Sequence, residues 1–153
     1  VPDFAAHMFI FYYAVLSEVS PPTALSPFAA AAITGGDPYK TTLQAWKYTL
    51  PAFIVPFVFV LDPAGVGLLL KRPPDGSWLH VAWIALTACI GIAALAAGTQ
   101  KWLLSACSQW ERWALIASGF LLVYPAPAAD LIGLCGVGLI LGVQGLRRRR
   151  AAA

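Results

Sequence analysis

Charged residues do not recur every few positions along this chain; they punctuate long uncharged runs. The longest, Gly76 to Gln100, holds 25 residues without Asp, Glu, Lys or Arg, more than the about 20 that carry an apolar helix across a hydrocarbon core. It predicts a transmembrane helix near Trp78 to Leu104. Upstream, an apolar and aromatic-rich helix runs from Phe4 to Val19 and stops at Ser20-Pro21-Pro22. Neither proline donates a backbone N–H, and Pro22 holds Pro21 in an extended conformation. A second apolar stretch, Thr23 to Ile33, ends at Thr34-Gly35-Gly36.

Asp37 is placed to cap a new helix whose first residue is Pro38. Tyr39, Leu43, Trp46 and Leu50 share one of its faces, and Lys40, Thr41, Gln44, Lys47 and Tyr48 populate the other. Such a helix either lies in the membrane interface or forms the wet end of the next span. That span covers Leu50 to about Leu61, is bent by Pro51 and Pro56, and continues weakly to Leu70. The segment KRPPDGS, Lys71 to Ser77, reads as a linker. Beyond the long helix come a polar turn at Cys107-Ser108-Gln109 and two short apolar runs. These are Trp113 to Tyr124 and Ala128 to Leu146, joined by Pro125-Ala126-Pro127. The pattern predicts an all-α integral membrane protein with a broken helix, an amphipathic helix and about four to five further hydrophobic helices. It divides into residues 1–70, a linker at 71–77, and a C-terminal membrane extension at 78–153.

Composition strengthens the membrane reading: 59% of the 153 residues are hydrophobic and 11% charged, against roughly half and a quarter in soluble domains. The net charge of +3 comes from Arg147 to Arg150, without which the chain is slightly acidic. Basic residues crowded just after an apolar helix read as a cytoplasmic anchor on membrane lipid, with no indication of a nucleic-acid partner. With that end cytoplasmic and every later run spanning, Lys40, Lys47, Lys101, Arg112 and Arg147 to Arg150 fall inside and Lys71 and Arg72 outside, eight against two. The asymmetry supports the orientation, and it depends on Trp113 to Tyr124 crossing fully. Trp78, Trp83, Trp102, Trp110 and Trp113 cluster near helix ends, as an interfacial belt does. Gly138 and Gly142 are spaced as a GxxxG packing face. Cys89, Cys107 and Cys135 form no metal or redox spacing and read as small packers. No basic region precedes the first apolar run, and the chain reads as the tail of something longer.

Few residues suggest chemistry. His7 and Glu18, eleven positions apart, return to roughly one helix face, and ionisable groups inside a membrane point to function by default. Against a relay, Glu18 adjoins the break and His7 suits an interface. Broken helices at membrane depth are tolerated where protein or a wet cavity surrounds the freed carbonyls, and transporters build ion and substrate sites from them. A kinked packing helix explains the same prolines, and the two readings stand level. Ser17, Ser20 and the carbonyls beside Pro21-Pro22 are hard oxygen ligands suited to a small dehydrated cation. Asp130 reads as the cap of the last helix. With no nucleophile, base and orienting group assembled, an enzyme is not indicated.

The string AAHMFIFYYAVLSEVSPPTALSPFAAAAITGGDPYKTTLQAWKYTLPAFIVPFVFVLDP resembles the end of the large membrane subunit of TRAP (tripartite ATP-independent periplasmic) transporters. More narrowly it is similar to the fused permeases that work with a TAXI-type periplasmic solute-binding protein. The resemblance covers about residues 3 to 64, and residues 75 to 146 look like a C-terminal extension of such permeases. It implies an ion-gradient-driven importer of organic acids in the bacterial inner membrane, with the rest of the permease and the binding protein as partners. It places Ser17, Glu18, Ser20, Pro21 and Pro22 near the substrate and sodium sites, with bound Na⁺ as the implied ion. Ser17 stands where glycine and Ser20 where threonine is usual, so the hydroxyl is kept; Glu18 is less usual there. The alternative is a non-transporting membrane subunit or remnant acting only through helix packing.

Overall fold

The computed structural model describes residues 1–69 and 77–152. Among these residues the protein is helical, with a single isolated antiparallel bridge between Trp102 and Ala106. Helix α1 (Asp3–Leu16) packs against α4 (Val55–Leu61) through an aromatic cluster in which Phe9 and Tyr13 meet Phe57 and Phe53. The Tyr13 hydroxyl donates to the Phe53 carbonyl at 2.6 Å, giving the half-buried phenol a partner. Helix α2 (Leu25–Thr34) ends at Gly35, whose φ of 70° is the left-handed C-terminal stop that glycine adopts without a steric penalty. It folds back on α3 (Pro38–Thr49), with Phe28 edge-on to Tyr39.

The Asp37 carboxylate accepts from the Lys40 N–H at 3.0 Å, and Pro38 opens α3, as the sequence predicts. A 3₁₀ segment at Leu50–Ile54 then carries the chain past Pro51 into α4. Pro38–Leu61 thus forms a 24-residue stretch long and apolar enough to cross a membrane. The amphipathic segment is therefore continuous with the next apolar helix. A second 3₁₀ segment, Pro63–Leu69, follows. The linker expected at 71–77 lies, apart from Ser77, outside the described residues.

Helices α5 (Trp78–Gln100), α6 (Gln109–Val123) and α7 (Pro127–Ala152) make an antiparallel three-helix unit. Its core holds Ala94, Ala97, Leu115, Leu122, Val137 and Ile140. Val58 of α4 joins Leu95 and Val123 in a second cluster, so the first part of the chain packs onto α5 and α6. Gln100 Nε2 donates to the Lys47 carbonyl at 3.1 Å, while a Cβ on Gly67 would lie 3.1 Å from Ile84. With Lys47 level with Gln100 and Val58 packed on Leu95, Pro38–Leu61 runs antiparallel to α5. Small residues allow the helices of the unit to approach closely: a Cβ on Gly91 would come within 2.9 Å of both Leu122 and Val123.

Several boundaries differ from expectation. Helix α1 stops at Leu16, three residues before Val19. Helix α5 stops at Gln100 because Lys101 turns left-handed, with φ 63°, short of the expected Leu104. Helix α6 begins at Gln109 and not at Trp113, because the Glu111 carboxylate accepts from the Ser108 N–H, the reciprocal bond of a capping box, within the residues read as a polar turn. At 15 residues it is about 22 Å long, and it is not among the three stretches long and apolar enough to span. The expected GxxxG face makes no contact among the described residues: Gly138 and Gly142 meet nothing within 4 Å. Helix α7 instead faces α6 with Gly133, Gly136, Val137, Ile140 and Gln144, a 3-4 spacing that turns Gly138 and Gly142 outward. Helix α7 also starts at Pro127, ahead of Asp130, so Asp130 does not cap it. Its carboxylate accepts from Trp83 Nε1 at 2.9 Å and ties α7 to α5.

Candidate functional site

Between α1 and α2 the chain leaves helical geometry over Ser17 to Ala24, and the Pro21–Pro22 peptide is cis. The Ser17 hydroxyl donates to the Ala14 carbonyl at 2.6 Å, and the Ser20 hydroxyl to the Leu16 carbonyl at 3.1 Å. Both protons point back into the last turn of α1, so each oxygen turns only lone pairs to its surroundings. Thr23 supplies what sequence reasoning missed. Its hydroxyl lies against the carbonyls of Ser17 and Ser20, closing the loop on itself. A threonine one residue past a proline pair is a side-chain turn former, the signal that marks it.

The carbonyls of the break are not left bare. The Ala24 N–H donates to the Ser20 carbonyl at 3.0 Å and the Ser26 N–H to the Glu18 carbonyl at 3.2 Å. A carbonyl has a second lone pair; that of Ser20 faces the Thr23 hydroxyl, while that of Glu18 keeps an acceptor position. Ala24 is 1% exposed and left-handed at φ 43°, a conformation that costs a non-glycine residue about 1–2 kcal/mol. This strained residue sets the direction in which α2 departs. Pro21, Pro22 and Thr23 are exposed, so the outer face of the loop is open.

His7 and Glu18, which return to roughly one face by their spacing, do not meet. Glu18 lies beyond the end of α1 and accepts from the Ser26 hydroxyl at 3.3 Å, while the His7 ring contacts the Asp3 carbonyl at 2.7 Å. The residues brought together are therefore Ser17, Glu18, Ser20, Pro21 and Pro22, joined by Thr23 and Ser26.

A second polar centre sits where α5, α6 and α7 meet. Glu111 and Gln144 are both 0% exposed. The Glu111 carboxylate accepts from the Ser108 N–H at 2.7 Å, from Gln144 Nε2 at 3.3 Å and from Arg147 at 3.0 Å. Gln144 Oε1 accepts from the N–H groups of Leu104 and Ser105 at 3.1 and 3.2 Å, tying the α5–α6 connection to α7. Burial pushes the Glu111 carboxyl up. The hydrogen bonds from Ser108 and Gln144 and the charge of Arg147 outweigh it and hold the group below its ordinary value. The Ser108-x-x-Glu111 spacing was a readable capping signal; nothing local in the sequence connects it to Gln144, 33 residues on.

Among the described residues, no group of three His, Cys, Asp or Glu side chains is placed to hold a metal ion. Neither a curated protein nor a solved structure matches the chain. Residues 1–70, just under half of the chain, match the family model of the tripartite ATP-independent periplasmic transporter, DctM component, so the likeness to a TRAP large membrane subunit covers α1 through the second 3₁₀ segment and leaves α5 to α7 outside it.

Proposed function

We propose that residues 1–70 are the end of the transport domain of an ion-gradient-driven permease importing organic acids. On this reading the chain works with the rest of that permease and with a TAXI-type periplasmic solute-binding protein in the bacterial inner membrane, its C-terminus cytoplasmic. The observation that carries the proposal is a coincidence of place. The family match spans the segment in which a helix is interrupted and hydroxyl and carbonyl oxygens are gathered around Ser17 and Ser20. Broken helices supply such oxygens to Na⁺ in secondary transporters. Ser20 is the side-chain ligand of choice, because its proton is already engaged at Leu16 and its lone pairs are not.

The test is uptake by proteoliposomes carrying the permease that contains this segment, with its binding protein and a radiolabelled organic acid. In Ser20→Ala, losing one oxygen ligand worth about 1–1.5 kcal/mol raises the Na⁺ concentration for half-maximal uptake about tenfold. Changing Pro21 to Ala reshapes the loop and lowers uptake further. Unaltered Na⁺ dependence in Ser20→Ala at normal membrane levels removes Ser20 from the site. Uptake that follows a proton gradient alone replaces Na⁺ by H⁺.

A further inference from the structure

The antiparallel order of α5, α6 and α7 collects at one end residues that the sequence scatters over fifty positions. Lys101 ends α5, Arg112 lies in the first turn of α6, and Arg147 to Arg150 close α7. Contacts confirm the juxtaposition: Arg112 Nε donates to the Gly98 carbonyl at 3.1 Å, and Arg147 reaches Glu111 at 3.0 Å. Lys47 lies at the same end through its bond from Gln100.

The carboxylate in the midst of these cations does not neutralise them. Glu111 is fully covered and is taken by Arg147, whereas Lys101, Arg148, Arg149 and Arg150 are exposed. Three exposed indoles stand at the same level: Trp102 after α5, and Trp110 and Trp113 in the first turns of α6. The Arg112 guanidinium lies 5.5 Å from the centre of the Trp113 ring, which holds a cation at indole depth. Indoles rest at the headgroup level of a bilayer, with the ring body in the acyl region and the N–H in water. Cations held beside them are then at phosphate depth.

We propose that this end is a headgroup site for anionic phospholipid, formed by Lys101, Arg112 and Arg148 to Arg150 and framed by Trp102, Trp110 and Trp113. The occupant follows from charge complementarity and depth. A soluble anion would be drawn to the cations and gain nothing from the indoles, whereas a lipid uses both. Arg147 is set apart, because its guanidinium is engaged by Glu111. The inference rests on α5 to α7 and does not depend on the transport reading of residues 1–70.

The test is tryptophan quenching of the chain reconstituted in phosphatidylcholine vesicles. These carry a small, equal fraction of either brominated phosphatidylglycerol or brominated phosphatidylcholine. Each cation near an anionic headgroup favours it about fivefold, so brominated phosphatidylglycerol quenches well beyond its bulk fraction. The triple variant Arg148→Gln, Arg149→Gln, Arg150→Gln removes most of that excess and leaves the Glu111–Arg147 contact in place. The quadruple variant Trp46→Phe, Trp102→Phe, Trp110→Phe, Trp113→Phe removes the excess signal, because Trp46 adjoins Lys47 at this end while the remaining Trp78 and Trp83 lie at the far end. Equal quenching by the two lipids overturns the proposal. So does an excess that persists in the arginine variant, or one abolished by inorganic phosphate at constant ionic strength, which would assign the site to a soluble anion.

Discussion

Gln144→Leu tests which of two buried contacts holds the C-terminal unit together. The visible ion pair, Arg147 with Glu111, is the obvious choice, yet the Arg147 side chain is 52% exposed. An ion pair with one partner half in water contributes about 1 kcal/mol or less. Arg147→Gln leaves Glu111 with its bonds from Ser108 and Gln144. Gln144 has no such reserve. Leucine fills a similar volume but strips the acceptor from the Leu104 and Ser105 N–H groups and one donor from a buried carboxylate. An unsatisfied buried polar group costs about 1–3 kcal/mol. Leu104 and Ser105 are only half-buried, so water reaches them in part and the low end applies. Two amides and the lost bond to Glu111 then sum to about 2–3 kcal/mol.

That destabilisation opens the connection between α5 and α6, where Cys107 is half-buried and within 3.5 Å of Gln144 Nε2. With Cys89 and Cys135 changed to Ser, the alkylation rate of Cys107 by a water-soluble maleimide reports the opening equilibrium. The expected acceleration in Gln144→Leu is about 30- to 150-fold, and in Arg147→Gln about fivefold or less. Rates in denaturing detergent must match across variants, which separates opening from any change in thiol reactivity. If Arg147→Gln accelerates the reaction as much as Gln144→Leu, the salt bridge and not the amide secures the unit, and the reasoning fails.

Three further outcomes follow from the same packing. Glu111→Gln lowers the thermal midpoint in detergent at pH 7. Folding lowers the Glu111 pKa from its ordinary 4.5, so its contribution is complete above that value and is lost as pH falls through the folded one. The gap between variant and native therefore narrows on acidification, and a constant gap would refute the assignment. Gly119→Ala drives a Cβ to 2.6 Å from Leu95 and 2.8 Å from the Gly91 carbonyl, costing about 1–3 kcal/mol. Gly138→Ala meets open space and stabilises α7 by about 0.5–1 kcal/mol; thermal unfolding ranks the two, and the reverse order would restore the GxxxG face. Trp83→Phe leaves the buried Asp130 carboxylate without its indole donor, at about 1–3 kcal/mol in the same measurement.

The helices were legible because their causes are local. An uncharged run of 25 residues, an Asp-Pro start at Asp37 and the Pro21-Pro22 stop each act within a turn or two, and the structure places helices and interruptions accordingly. What escaped was set by contacts distant in sequence. Asp130 looked like a cap because it stands near a helix start; it is instead an acceptor for Trp83, 47 positions earlier. Gly138 and Gly142 have the spacing of a packing motif, but which side of α7 meets α6 is decided by Val137, Ile140 and Gln144. In sequence Glu111 is one more charged residue beside a polar turn, whereas in the fold it is buried against Gln144 and Arg147. At the break, Ser17 and Ser20 were found by resemblance and composition. Thr23 and Ser26, which fold the loop, were not, because hydroxyls around a turn have many local partners to choose from.

The two halves of the chain also differ in how far their polar groups are covered, and this bears on where an ion could be held. In α5 to α7 Glu111, Gln144 and the α5–α6 connection bond to one another inside the packed helices, although the Ser105 and Ser108 hydroxyls beside them are buried without a partner. Around the break, Pro21, Pro22 and Thr23 are exposed, and Ile10, Phe11, Val15, Leu25 and Ile33 of the flanking helices turn outward. A dehydrated cation gains over its hydrated form only where water is excluded and oxygens are fixed in advance. Ser17 and Ser20 meet the second condition, since their hydroxyl protons are engaged and Thr23 braces the loop. The first condition requires a surface that covers the break. The outward apolar side chains of α1 and α2 flank the place where further helices would dock, and on the transport reading those helices both seal the site and complete its oxygens. Ser20→Ala should therefore alter Na⁺ dependence only in the assembled permease. A cation effect of the same size in this chain alone would mean that the break binds ions as an open loop, and the transport reading would lose its structural support.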